Sequence, residues 1–359
     1  MKLTAVIQLL PIEEQRQILY ETLQTLNAAC NEISQQAWDS KTFRRVPLHH
    51  LTYYPVREQF GLTAQMAVRC IGKVTDAYKV NRKVRHDFRK HGAIPYDLQM
   101  IRYDLEQQAV NLQTLDKRQT MPFAAGQLQL DLLQYQQGES DLFERRGKFY
   151  IAATCEIPDD VPFDPDEFLG VDLGIKNIAT DSDGTIHSAK HLLNVRHRHR
   201  RLRRNLQPKT TWSSYRKLKN LSGKERRFAR DVNHRISKQL VTIAKDTGRG
   251  IALEDLKGIR DRTTFSRKQR NMLHSWSFYQ LRQFVEYKAQ RAGVPVVYID
   301  PCNTSRECSV CGCVDKANRK TQSHFSCMSC GFVAHADVNA AINIGRRVVV
   351  NPPNADGLH

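Results

Sequence analysis

The chain has 359 residues, 40% of them hydrophobic and 26% charged. That is enough for two or three domains with real cores, and it excludes a fibrous or disordered chain. Its 55 Lys and Arg against 37 Asp and Glu leave a net charge of +18, an imbalance that points to a polyanionic partner, nucleic acid foremost. No stretch approaches the roughly 18 to 20 apolar residues that a bilayer span needs. The opening MKLTAVIQLLPIEEQ has too short an apolar run, and no small-residue cleavage site after it, for a signal peptide. The expectation is a soluble, cytoplasmic protein without a membrane partner.

Residues 2–9 (KLTAVIQL) alternate as a short strand does. From Pro11 to about Lys83 apolar residues recur every three or four positions, with a distinct helix running from Leu62 to about Arg82. Residues 93–155 alternate and are punctuated by turn residues, which predicts a small antiparallel β-unit that residues 2–9 could join. The stretch IPDDVPFDPDEF (157–168) reads as a linker.

The pattern then changes. FLGVDLGIKNIATDSDGTIHS (168–188) reads as three strands with an Asp-Gly turn before the last. A long helical stretch follows, then the strand GIALEDL, a helix near 276–292, the strand VPVVYID, a cysteine-rich segment and a final helix from about Asp337. That order predicts an α/β layer architecture. The tail NPPNADGLH (351–359) is expected to be disordered.

Three acids stand where such a sheet would present them together. Asp172 lies in the first strand between Gly170 and Gly174, Glu254 ends GIALE, and Asp337 opens the last helix. Taken singly each has an ordinary reading, as a helix cap or a solvated strand end. Together, in a strongly basic chain, they match what phosphodiester hydrolysis by two Mg²⁺ ions about 4 Å apart requires, namely clustered hard oxygen ligands. Asp255, Asp261 and Asp300 are neighbours. Asp255 should face away from Glu254 across the strand, and Asp300 could support the site.

Nine cysteines is an odd count, and four of them form Cys308-x2-Cys311-x15-Cys327-x2-Cys330, each pair followed by a glycine. That spacing predicts a closed, structural Zn²⁺ site of zinc-ribbon type. Cys313, His324 and His335 are alternative ligands, and Cys30, Cys70, Cys155 and Cys302 read as inert core residues.

Between Lys190 and Arg230 stand 15 Lys and Arg against one acid, Glu225. A charge run is ordinarily a solvated face. Here, though, one segment holds most of the surplus, and that is the footprint of a phosphate-contacting surface. Arg196, Arg198, Arg200, Arg201, Arg203, Arg204, Lys217, Arg226 and Arg227 are the candidate contacts. Trp212 and Tyr215 could stack on bases, although packing in the core is the more ordinary role for a tryptophan.

Asp172 in GVDLGIKN, Glu254 in IALEDL and Asp337 in HADVNAAINI resemble the three split motifs of a RuvC-like nuclease. NTSRECSVCG and CMSCGF resemble the zinc ribbon inserted in that domain, and SWSFYQLRQFVEYKAQRAGVPVVYIDP and the N-terminal LLPIEEQRQILYETLQTLNAACNEIS also fit. The combination is similar to the TnpB family, transposon-encoded OrfB-type proteins related to compact type V CRISPR effectors.

The resemblance implies an RNA-guided DNA endonuclease. A guide RNA from the transposon end would direct it to complementary double-stranded DNA beside a short flanking motif. Residues 11–90 would form a helical recognition domain, 1–10 with 91–160 a β-barrel wedge domain, 161–300 with 331–350 the RuvC/RNase H-like domain, and 301–330 the zinc ribbon. Gln65, Arg69 and Lys73 would touch flanking DNA. No small-molecule cofactor is implied, and the site of action would be the nucleoid. One departure stands out: His335-Ala336 precedes Asp337 where many relatives carry Asp-Arg. Two other functions fit the same residues, a nuclease-silent RNA-guided repressor and a guide-free transposase.

Overall fold

The computed structural model describes residues 1–255 and 278–350, and the chain divides into two compact units, Met1–Pro158 and Asp159–His359. The predicted helix start at 276–277, Asp261 and the tail 351–359 lie outside the described residues. Among the described residues, no helix is long and apolar enough to cross a membrane.

In the first unit, β1 (Lys2–Leu9) is followed by α1 (Glu13–Asp39), α2 (Arg45–Phe60) and α3 (Ala64–Val80). Leu19, Leu23, Leu26, Cys30, Ile33 and Ala37 recur at helical spacing on α1 and are all buried. The helical stretch is thus three helices. Gly61, left-handed with φ 61°, ends α2, and the Thr63 hydroxyl accepts the Met66 N–H at 3.4 Å to start α3. The β-unit comprises β2 (Ile94–Tyr96), β3 (Ile101–Asp104), β4 (Ala109–Gln113), β5 (Arg118–Ala124), β6 (Gln136–Arg145) and β7 (Lys148–Glu156), with a short helix α4 (Gln127–Leu133) that the alternation had not suggested. β1 does join it, between β7 and β5, in an antiparallel sheet ordered β2-β6-β7-β1-β5-β4-β3. Arg146 and Gly147 both have positive φ, 57° and 74°, which closes the β6–β7 hairpin with the twist its strands need.

In the second unit, β8 (Phe168–Asp172), β9 (Asn177–Asp181) and β10 (Ile186–Ser188) form an antiparallel meander, with Gly184 at φ 92° in the Asp-Gly turn. α5 (Lys190–Leu206), α6 (Trp212–Leu221) and α7 (Lys224–Asp246) make up the basic segment, and the breaks fall at Pro208 and Gly223. β11 (Gly250–Glu254), α8 (Phe278–Arg291) and β12 (Val296–Ile299) follow. The small hairpin β13 (His324–Ser326)/β14 (Val333–His335) leads into α9 (Ala336–Val350). The sheet order is β10-β9-β8-β11-β12, with β11 parallel to both β8 and β12.

Strand alternation gives this sheet two apolar faces. Leu169, Val171, Ile251 and Leu253 pack with Leu192, Leu240, Leu281 and Val285 from α5, α7 and α8. Ala252 and Ile299 pack with Ile344 and Val348 of α9 on the other face. Glycine permits that second contact, because a Cβ on Gly170 would run into the backbone of Ala341 and Gly345.

Candidate functional site

The three acids are brought together by register and helix phase. Val171 pairs with Leu253 across the parallel β8–β11 ladder, so Asp172 and Glu254, one residue further on, stand side by side at the carboxyl ends of neighbouring strands. They share the face of Gly170 and Ala252, which is the face α9 covers. Asp337, Ala341 and Gly345 lie four residues apart on one side of α9. Since Ala341 and Gly345 abut Gly170, the same side carries Asp337 toward Asp172.

Each carboxylate has distinct partners. Glu254 accepts the Thr304 hydroxyl at 2.6 Å. Asp337, only 4% exposed, accepts Asn177 Nδ2 on one oxygen and Arg319 Nη2 on the other, both at 2.8 Å. Asp172 has the most perturbed charge. Burial, then the negative charges of Glu254 and Asp337, push its carboxyl up to about 8, with the Arg319 guanidinium opposing. Burial also raises Glu254, while Thr304, Arg347 and Arg319 act against that rise.

Thr180 stands directly across from Asp172 in the antiparallel ladder and hence on its face. Its hydroxyl is buried without a hydrogen-bond partner among the described residues. An acid at about 8, held there in part by two others, beside an orphaned hydroxyl, is a donor set short of positive charge. Divalent cations with oxygen ligands fit it.

Asp255 turns away as expected and pairs with Arg282 of α8 at 3.0 Å. Asp300 is close enough to Glu254 for its charge to act on it, and its Oδ1 accepts the Cys302 N–H at 3.0 Å.

The sulfurs of Cys308, Cys311, Cys327 and Cys330 all lie within 4.8 Å of one another, the one group of three or more metal-ligating side chains so tightly packed among the described residues. Sγ–Sγ distances of 3.7 Å (Cys308–Cys330) and 3.5 Å (Cys311–Cys327) suit a tetrahedral ion with Zn–S bonds near 2.3 Å. Gly312 and Gly331, left-handed at φ 72° and 73°, close the two turns by donating to the carbonyls of Cys308 and Cys327. The cluster could therefore hold a structural zinc ion. Cys313, His324 and His335 are not in the group. His335 Nδ1 instead accepts the Asp337 N–H at 3.3 Å. Cys30, Cys70 and Cys155 are buried as expected, but Cys302 is exposed. It follows Pro301 just past the end of β12, where the apolar context of VPVVYID has run out.

The cysteine segment is fastened to α9. Asn339 and Asn343 donate to the Glu307 carbonyl at 2.8 Å each, and Arg347 pairs with the Glu307 carboxylate at 2.6 Å. These residues sit four apart, on one stripe of the helix. Sequence reasoning missed Arg319, Thr304 and Asn177. They are ordinary polar residues in loops or at a strand start, and only tertiary placement marks them.

In the basic segment, Arg198, Arg200, Arg201, Arg204, Lys217, Arg226 and Arg227 are exposed on α5, α6 and α7. Arg196 and Arg203 share Glu225 at 3.4 and 2.7 Å, so the sole acid of the stretch clips α5 to α7. Trp212 is 80% exposed, which overturns a core role: it is the first residue of α6, a helix that buries little besides Ser214.

In the first unit, Gln65 and Arg69 both engage Asp97, Arg69 also pairs with Glu139, and Lys73 donates to Asn27 Oδ1 at 2.6 Å. All three therefore make contacts within that unit.

Three acids converging at the carboxyl ends of adjacent inner strands, one of them tied to a four-cysteine segment, define an α/β protein with two adjoining candidate metal sites. Residues 153–258 match the OrfB_IS605 family model, described as a probable transposase, and 278–344 match the Cas12f1-like TNB domain. These two segments make the chain similar to the TnpB family and to the compact type V effectors.

Among its relatives, the CRISPR-associated endodeoxyribonuclease Cas12f1 of Sulfoacidibacillus thermotolerans is 42% identical over 35% of this chain and 29% of its own length. A TnpB-like protein of Methanocaldococcus jannaschii is 38% identical over 36% of this chain and 48% of its own. A candidate RNA-guided DNA endonuclease, InsQ, of Escherichia coli K12 is 29% identical over 55% and 53%. The match thus spans less than two thirds of each of these relatives. The solved mini-RNA-guided endonuclease CRISPR-Cas phi3 has the same fold at a TM-score of 0.50 and 10% identity, over 98% of this chain and 92% of that one.

Proposed function

We propose that the protein is a transposon-encoded, RNA-guided DNA endonuclease whose RuvC/RNase H-like domain cuts target DNA with two Mg²⁺ ions held by Asp172, Glu254 and Asp337. The observation that carries this reading is the meeting of the three acids, with Asp172 pushed up to about 8 in a net-basic chain. Bound Mg²⁺ would supply Lewis acidity for an attacking water and a leaving oxygen. The chain's own residues do the rest. Thr304 orients Glu254, Asn177 orients Asp337, and Arg319 offsets charge until cations arrive. The sheet order, three antiparallel strands followed by two parallel ones, supports the RuvC-like assignment.

The guide RNA would come from the transposon end, and base pairing would choose the double-stranded target. The exposed arginines of α5 and α7 and Lys217 of α6 are suited to phosphate contacts. The first unit would serve as helical recognition and wedge domains reading a flanking motif. Gln65, Arg69 and Lys73 could contribute only by exchanging their present partners. The four-cysteine cluster would hold one Zn²⁺ and brace α9, and with it Asp337.

The deciding experiment is to express the protein with its native flanking DNA, purify it, and sequence the RNA that stays bound. The recovered guide is then used in a Mg²⁺-dependent cleavage assay. A discrete RNA that supports cutting is the expected result. A bound RNA without cutting would move the reading to a guided repressor, and DNA binding without any defined RNA to a guide-free transposase.

A further inference from the structure

The α5–α6 turn carries a feature that the proposed function leaves unused. A cavity of about 420 Å³ opens there, walled by Trp212, Tyr215 and Leu218 of α6 and by Gln207, Lys209 and Thr210 of the turn. Trp212 is 80% exposed and Tyr215 59% exposed, and their rings meet edge to face with centroids 6.1 Å apart at 87°. Two large aromatics left in water are costly unless something covers them.

The turn is built rather than loose. The Thr211 hydroxyl accepts the Ser214 N–H at 3.3 Å, and the buried Ser214 hydroxyl donates back to the Thr211 carbonyl at 2.8 Å. Lys209 donates its backbone N–H to the Leu206 carbonyl at 3.1 Å, and its ammonium has no carboxylate partner among the described residues. Arg204, in the last turn of α5, and Arg216, Lys217 and Lys219 of α6 are also exposed. An acidic or apolar protein segment would satisfy the charge or the rings, but not both. A nucleotide satisfies both, with a flat π-face for the indole and a phosphate for the lysine.

We infer that this cavity is a base-stacking site: it takes an unpaired nucleobase of a single-stranded polynucleotide, stacked on Trp212 against the edge of Tyr215, with the adjoining phosphate at Lys209. The inference rests on the nucleic-acid reading above and deepens it. Duplex bases are already stacked and cannot enter, so the site selects for a strand that has been opened.

The test is a fluorescence-anisotropy titration of the full chain with labelled dT and rU 12-mers, and with a 12-mer of the same length carrying a run of abasic sugars. Trp212→Ala should weaken binding to one or both base-bearing strands about tenfold, whereas Trp212→Phe should keep most of the affinity. The wild type should lose a similar factor on the abasic strand, where Trp212→Ala should make little further difference. The slope of log affinity against log salt should be unchanged, because no phosphate contact is removed. The dT and rU arms tell whether the base comes from DNA or from RNA. Binding by Trp212→Ala within twofold of wild type on both strands, or an equal loss on the abasic strand, would overturn the stacking site while leaving nucleic-acid binding intact. Failure of the wild type to bind any strand would overturn the broader reading as well.

Discussion

Arg319, which lies between the two cysteine pairs, places its guanidinium 2.8 Å from an oxygen of Asp337, the acid that opens the last helix. The contact joins the four-cysteine segment to the carboxylate site and puts a positive charge where the acids most need one. It is partly buried, with the Arg319 side chain 24% exposed and that of Asp337 nearly covered, so removing one partner leaves a poorly solvated charge behind.

Arg319→Ala should therefore lower the melting temperature of the Mg²⁺-free protein by a few degrees, a loss on the order of 1–3 kcal/mol. Added Mg²⁺ should restore more stability to the variant than it adds to the wild type, because it replaces the missing charge. Calorimetry of zinc-loaded protein dialysed free of Mg²⁺, and again after Mg²⁺ is added, measures both. An identical Mg²⁺ response in the two proteins would mean that Arg319 and the cations do not share a site.

Asp172 gives the pH dependence. Its folded-state value of about 8 lies above the 3.8 of an ordinary aspartate, so the folded chain holds the proton more tightly than the unfolded chain. The Mg²⁺-free protein should lose stability as pH rises from about 4 to 8, with the full cost present above that window. Asp172→Asn should flatten this slope and melt higher than wild type at alkaline pH in zinc-loaded, Mg²⁺-free protein. Apparent Mg²⁺ affinity of the wild type should rise with pH up to about 8, since cation and proton compete for one carboxylate.

Cleavage should fall at least about 10³-fold in Asp172→Ala, Glu254→Gln and Asp337→Asn, while target binding stays within a few-fold of wild type. Guided-cleavage rates beside gel-shift affinities are the readout. If Asp172→Ala also abolished target binding, that acid would not be purely catalytic.

One zinc ion per chain should be found by metal analysis, lost in Cys308→Ser and Cys327→Ser and retained in Cys313→Ser. Cys302 should react rapidly with a maleimide in the native protein, whereas Cys30, Cys70 and Cys155 should be labelled only after unfolding.

Gly170→Ala tests the packing that joins the acids. The added methyl meets the backbone of Ala341 and Gly345, which cannot move aside as a side chain could. α9 and Asp337 must shift, so cleavage should fall along with stability. Ala252→Gly, on the same face of the neighbouring strand, should cost stability with a smaller loss of cutting.

Much of this was legible in the sequence for physical reasons. Hydrophobic period and turn residues are local properties, so the strands from Phe168 to Ser188, the Asp-Gly turn, and the joining of residues 2–9 to the β-unit could be read directly. The four cysteines were equally clear, because Zn²⁺ demands particular atoms at short spacing. The breaks between Asp39 and Arg45 and at Pro208 are weaker local signals and were smoothed into longer helices, while α4 was missed inside an alternating stretch.

Only tertiary structure decided what meets what. Register set Asp172 beside Glu254, helix phase turned Asp337 toward them, and Arg319, Thr304 and Asn177 joined from loops with no local signature. Exposure followed the same rule. Trp212 was expected in the core as a tryptophan and Cys302 from its apolar neighbours, yet burial depends on which neighbours the fold brings, and here it brings too few to cover either. A sequence sets the chemistry each residue can perform; three-dimensional packing sets which groups are buried and which charges share a space, and burial, with that sharing, pushes Asp172 up to about 8.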